Sequence, residues 1–192
     1  MLERITKNKK WILIFVVHLI FIISYTLIKD LFIEDNSINN AEKDFKNNPI
    51  FNLILIVIVS PIIEEIIFRY PLRFNYLNIL IIPIILLIVF LNESILIKFS
   101  FIIFFIILSI QRIFKKNTYT INLISVICFT LLHIGNYENI NPNFAIVFSM
   151  IFPQLILGII LSYVRHFKNF KTCIMYHAVY NFIIILIYLT VE

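Results

Sequence analysis

The chain has 192 residues, of which 61% are hydrophobic and only 14% charged. So little charge cannot wet the surface of a soluble domain of this length, so most of the surface must face lipid. The net charge of +5 calls for no nucleic-acid partner, because a basic excess on the cytoplasmic face of a membrane protein, drawn to anionic lipid, accounts for it.

Taken in chain order, the basic run Arg4, Lys7, Lys9 and Lys10 precedes a long apolar stretch from Trp11 to Ile28. No small-residue cleavage pattern follows, so this stretch reads as a retained transmembrane helix and not as a signal peptide. Apolar runs of spanning or near-spanning length fall at 11–28, 50–70, 77–92, 94–111, 119–134, 143–164 and 172–191, which gives seven expected spans. The third is the weakest. It is short, carries Pro83, and reads as a poorly tilted span, as re-entrant, or as a tight hairpin with the fourth through Asn92 and Glu93. No Gly/Ser-rich linker, charge block or internal repeat divides the chain, so one membrane domain over 1–192 is expected, an all-α bundle.

Basic residues favour cytoplasmic loops. With the N-terminus inside, the inner segments hold the four N-terminal cations, Arg69 and Arg73, then Arg112, Lys115 and Lys116, and finally Arg165, Lys168 and Lys171. That is twelve of the sixteen Lys and Arg residues. The outer segments hold Lys29, Lys43, Lys46 and Lys98, and the first loop offsets its lysines with Asp30, Glu34, Asp35, Glu42 and Asp44. A seven-span, N-in, C-out topology follows.

Ionisable residues inside lipid are costly, at about 2.5–3.5 kcal/mol each on insertion scales, and usually face a cavity or a partner. The second span reads PIIEEIIFRYPLRF and carries Glu64, Glu65 and Arg69. Glu65 and Arg69 are four apart with the acid N-terminal to the base, the favourable order for a helical ion pair. Glu64 points about 100° away around the same helix and is left for another role. The fifth span ends in Phe129-Thr130-Leu131-Leu132-His133 before Gly135, and the seventh places His177 and Asn181 four apart on one face. At the helical rise, Glu64, His133 and Asn181 lie about 15–20 Å along their helices from the inner surface, and His177 about 9 Å. Those depths suit a single site.

Other polar residues read more plainly. His18 is expected to bond a neighbouring carbonyl, His166 to sit in a solvated loop, and Lys98 to snorkel to the outer interface. Cys128 and Cys173 lie in or beside apolar runs without metal-type spacing, so packing is their expected role.

The ordered motifs Glu64-Glu65-x-x-x-Arg69, Phe129-x-x-x-His133 and His177-x-x-x-Asn181 resemble the CPBP family, which comprises CAAX prenyl proteases and bacteriocin-processing (Abi) enzymes. Pro61 before the acidic pair and the run from Gly158 to Tyr163-Val164-Arg165 are similar as well, and the resemblance covers a core at 50–185. Two departures stand out: Tyr70 follows the motif arginine where the family often has glycine, and the interval from Arg69 to His133 holds an extra hairpin.

The resemblance implies an intramembrane endopeptidase. In it Glu64 with His133 activates water, His177 and Asn181 bind the oxyanion, and Glu65 and Arg69 hold their helix in register. The expected substrate is a peptide or protein at the lipid bilayer, with prenylated C-termini, leader peptides and membrane-bound regulators all fitting the class. A zinc-type divalent cofactor would draw on Glu64, His133 and His177. The metal-independent reading is preferred because there is no His-Glu-x-x-His helix, and because ligating Glu64 would leave no buried carboxylate free of a counter-ion as base. Two alternatives belong to other classes. One is a non-catalytic immunity or assembly protein of the same fold; the other, a proton-coupled transporter, lacks the expected repeat and broken helices.

Overall fold

A computed structural model of the protein describes residues 12–25, 28, 38–39, 45–73, 106, 118–138 and 143–191. The expected third and fourth spans, apart from Ile106, and the N-terminal basic run lie outside the described residues, as do Lys98 and the basic loop at 112–117. The chain forms two compact units, Met1–Asn36 and Ser37–Glu192. The first contains α1, the apolar helix Ile12–Tyr25, which lies within the expected span over 11–28.

The second unit contains four helices long and apolar enough to cross a membrane: Pro49–Phe68, Tyr119–Asn136, Phe144–Phe167 and Phe170–Ile187. They correspond to the second, fifth, sixth and seventh expected spans. Among the described residues the only strands are β1 (Ile38–Asn39) and β2 (Tyr137–Glu138), a two-residue antiparallel pair, so the architecture is a helical bundle. This pair joins Ile38–Asn39 to the two residues that follow the 3-10 turn at His133–Asn136.

Helix α2 (Pro49–Phe68) starts where its sequence is built to start one. Asn48 is the N-cap, its side chain accepting from Phe51 N–H at 3.4 Å, and Pro49 follows at the first turn, where a missing N–H costs nothing. Within α2, Leu55–Val59 widens to a π-helix, in which Ser60 N–H bonds the Leu55 carbonyl. The helix ends before Pro71, and Tyr70–Arg73 tightens to a 3-10 turn. Tyr70, the departure from the family pattern, packs its ring on Phe170 with centroids 5.3 Å apart.

Helix α3 (Thr118–Leu132) gives way to the 3-10 turn His133–Asn136, so His133 stands at the point where the helix tightens ahead of β2. Helix α4 (Phe144–Phe167) is capped by Asn143, which accepts from Ala145 N–H at 2.9 Å. Helix α5 (Phe170–Val191) starts after only Lys168 and Asn169, so α4 and α5 run antiparallel as neighbours. Asn169 accepts from Thr172 N–H at 2.8 Å and from Thr172 Oγ1 at 3.0 Å, satisfying donors at the new helix start. His166 is exposed, as expected, but lies in the last turn of α4 and not in a loop, because α4 runs past the end of its apolar stretch.

Ile67, Phe68, Phe129, Leu157, Leu161 and Val164 are buried where the helices meet. Gly158 sets how closely α4 approaches. A Cβ there would lie 3.1 Å from Phe129 Cδ1, 3.3 Å from Val126 Cγ1 and 3.4 Å from Arg69 Nη2. Small residues at such crossings let backbones meet without lipid between them. The opposite faces expose Ile50, Leu123, Phe144, Ile159 and Met175, an apolar surface suited to acyl chains and not to water.

Candidate active site

Consecutive residues on a helix point about 100° apart, and this geometry sends Glu64 and Glu65 to different surroundings. Glu65 is wholly enclosed. Arg69, one turn on, brings Nη1 to 3.6 Å from Glu65 Oε1, the ion pair expected from their spacing. The Arg69 guanidinium lies over the Phe129 ring, 4.1 Å from its centroid, and Nη2 donates to the Gly158 carbonyl at 3.4 Å. The Arg69 carbonyl accepts from Arg165 Nε at 3.1 Å, and Ser125 Oγ donates to the neighbouring Phe68 carbonyl at 2.7 Å. One arginine thus ties α2 to α3 and α4.

Glu65 is not reserved for Arg69, however. His177 Nδ1 donates to Glu65 Oε1 at 3.0 Å, and Cys173 Sγ lies 2.9 Å from Oε2 and 3.2 Å from the Leu161 carbonyl oxygen. One sequence expectation is corrected here: Cys173 is not simple packing, because it stands four positions before His177 and both present the same face of α5 to Glu65. Cys128 is buried on α3.

Glu64 is set up differently. Ser60 Oγ, one turn earlier on α2, donates to Glu64 Oε1. Oε2 is shielded from solvent and makes no direct hydrogen bond. It stands 3.7 Å from both His133 Nε2 and His177 Nε2. The orientation of each ring follows from its other nitrogen. His133 Nδ1 lies 2.8 Å from the Phe129 carbonyl oxygen, which can only accept, so Nδ1 carries the proton. His177 Nδ1 faces the Glu65 carboxylate, which also accepts. Both rings therefore turn Nε2 toward Glu64. That atom is an acceptor in the neutral ring and a donor once the ring takes a proton.

Phe129 explains its place in the motif. Its carbonyl fixes His133, and its ring lies 4.6 Å from the His133 ring and 5.8 Å from that of His177, filling the space between the histidines and Arg69. The structure thus brings Glu64, His133 and His177 together, with Glu65 and Arg69 behind them. Asn181 lies one turn along α5 from His177 and donates through Nδ2 to the Ile56 carbonyl at 2.9 Å. Ser60 was not singled out in the sequence, although its i, i+4 spacing to Glu64 is the signal that marks it. Among the described residues, no set of three or more His, Cys, Asp or Glu side chains is arranged to hold a metal ion. Both histidines nonetheless have an acceptor behind Nδ1, the Phe129 carbonyl for His133 and Glu65 for His177.

Membrane-length helices that meet around a buried carboxylate and two inward-turned imidazoles define a multi-pass membrane protein with a polar centre inside the bundle. The chain belongs to the Rce1-like family, whose model, described as type II CAAX prenyl endopeptidase Rce1-like, matches residues 46–183. No curated protein and no solved structure matches it significantly.

The contacts of Glu65 set an expected order of damage in thermal unfolding of the detergent-solubilised protein. Arg69→Ala strands a buried carboxylate and should destabilise by about 3–5 kcal/mol. Cys173→Ala removes one donor and should cost about 1–3 kcal/mol, with Cys173→Ser milder because its hydroxyl still donates. Equal stability of Cys173→Ala and wild type would show that the thiol does not support Glu65.

Proposed function

We propose that the protein is an intramembrane endopeptidase that hydrolyses a peptide bond of a membrane-associated protein or peptide, with water activated directly by Glu64. The observation that carries this reading is the placement of Glu64 Oε2, 3.7 Å from each of two imidazole Nε2 atoms while Oε1 is held by Ser60. A water between them meets acceptors on more than one side, the setting in which a carboxylate serves as general base.

Glu64 takes a proton from that water, with His133 orienting it, and the oxygen adds to the scissile carbonyl. The Asn181 amide donates to the resulting oxyanion, and His177, held at Nδ1 by Glu65, joins it through Nε2 in the ring state that also carries a proton there. The tetrahedral intermediate collapses as the proton on Glu64 passes to the leaving amine. Glu65 acts behind His177 as a carboxylate does behind a catalytic imidazole, fixing the ring and its tautomer. Family membership supports a substrate with a prenylated CAAX C-terminus. The basic bias supports an N-terminus in the cytoplasm, so reporter fusions at 165–171 should read cytoplasmic and fusions at 30–48 external; a cytoplasmic 30–48 loop contradicts that orientation.

The decisive comparison uses protein reconstituted in vesicles and two quenched fluorescent peptides ending in a CAAX sequence, one farnesylated and one not. Wild type should cleave the farnesylated peptide, and Glu64→Gln should lose roughly a thousandfold or more in rate while unfolding at the wild-type temperature. Cleavage should survive exhaustive chelation. Zinc lost together with activity, and activity restored by adding it back, would refute direct activation by Glu64. A wild type that cleaves neither peptide favours a non-catalytic membrane protein of the same fold.

A further inference from the structure

The π-helical stretch of α2 stands immediately before Pro61, and the two features together leave one backbone carbonyl without a donor from its own helix. In the π register Ser60 N–H bonds the Leu55 carbonyl, five residues back. The next N–H in that register belongs to residue 61 and would reach the Ile56 carbonyl. Residue 61 is proline and has none. The α-register donor for Ile56 is Ser60 N–H, which is already committed to Leu55. The Ile56 oxygen is instead reached from another helix, by Asn181 Nδ2 at 2.9 Å.

A primary amide has two N–H groups fixed in one plane, so anchoring one sets the direction of the other. Asn181 lies one helical turn from His177 on the same face of α5, and His177 Nε2 is 3.7 Å from Glu64. Pro61 is itself buried in the span, three residues before Glu64. A proline inside a helix works against that helix, and π-bulges gather at functional sites.

We propose that Pro61 is a positioning residue. By withholding an N–H from the Ile56 carbonyl it keeps that oxygen open as a fixed anchor for the Asn181 amide, and so holds the second amide N–H toward the reacting carbonyl. The proposal rests on the reading of Asn181 as an oxyanion donor and extends it to the device that aims it.

Pro61→Ala restores the missing N–H, which then competes with Asn181 for Ile56. The test has one readout that does not depend on cleavage. In protein labelled with 15N at asparagine and held in detergent micelles, one Asn181 side-chain proton should exchange slowly with deuterated water. Pro61→Ala should speed that exchange by about tenfold or more, while the unfolding temperature stays the same or rises. With the farnesylated quenched peptide as probe, Pro61→Ala should lower kcat by roughly tenfold to a hundredfold at unchanged KM. The double variant Pro61→Ala/Asn181→Ala should be no slower than Asn181→Ala alone, because the proline acts through the amide.

Unchanged Asn181 exchange in Pro61→Ala overturns the proposal, as does a loss of kcat that adds in full to that of Asn181→Ala. Pro61→Ser carries the same N–H and decides the matter if the alanine variant folds poorly. Full activity of Asn181→Ala, with the exchange result as expected, would instead overturn the oxyanion role and leave the anchoring intact.

Discussion

The bundle is organised around a carboxylate that lipid would otherwise exclude. Glu65 sits with no exposure at all, and its two oxygens are shared among Arg69 on its own helix and Cys173 and His177 on α5. Removing a charge from water is worthwhile only where its lone pairs are met, and here they are met by partners from two helices. Arg69 extends the same network. It stacks on Phe129 of α3 and reaches the Gly158 carbonyl of α4, where a Cβ on Gly158 would crowd that same Phe129 ring. The close approach of four helices and the placement of one acid–base pair are therefore one structural fact.

From that network the reactive geometry follows. Glu65 fixes the Nδ1 side of His177, and the Phe129 carbonyl fixes the Nδ1 side of His133, so both Nε2 atoms turn to Glu64. Ser60 holds the other Glu64 oxygen. Glu64 and Glu65 are neighbours in sequence with divided labour, one bound into the frame and one left with an oxygen open to the centre. Their 100° separation around the helix makes this division possible.

Much of this was legible in the residues. Spans two, five, six and seven were marked by apolar length, and Glu64, His133 and His177 by being ionisable where lipid is expected. The i, i+4 spacings of Glu65–Arg69 and His177–Asn181 were visible too. What a helical period cannot convey is which face of one helix meets which face of another. So the sequence pairs Glu65 wholly with Arg69, points Asn181 to the oxyanion without its anchor, and gives Cys173 to packing. Each of these turns on a contact between α2 and α5, across more than a hundred residues of chain. The π-helical stretch was hidden for a different reason: Pro61 announces a disturbance, but a proline alone does not say whether the helix kinks, breaks or widens.

The histidine ring state tests this arrangement most directly. In protein labelled with 15N at histidine and solubilised in detergent, the nitrogen shifts and proton couplings of His133 and His177, assigned by single substitutions, should show a proton on Nδ1 of both rings. Glu65→Gln should disturb the pattern for His177 and leave His133 as it was, because only His177 is held by that carboxylate. A bare Nδ1 on either ring of the wild type would contradict the geometry, because Nε2 would then not be the atom set by its partner to face Glu64.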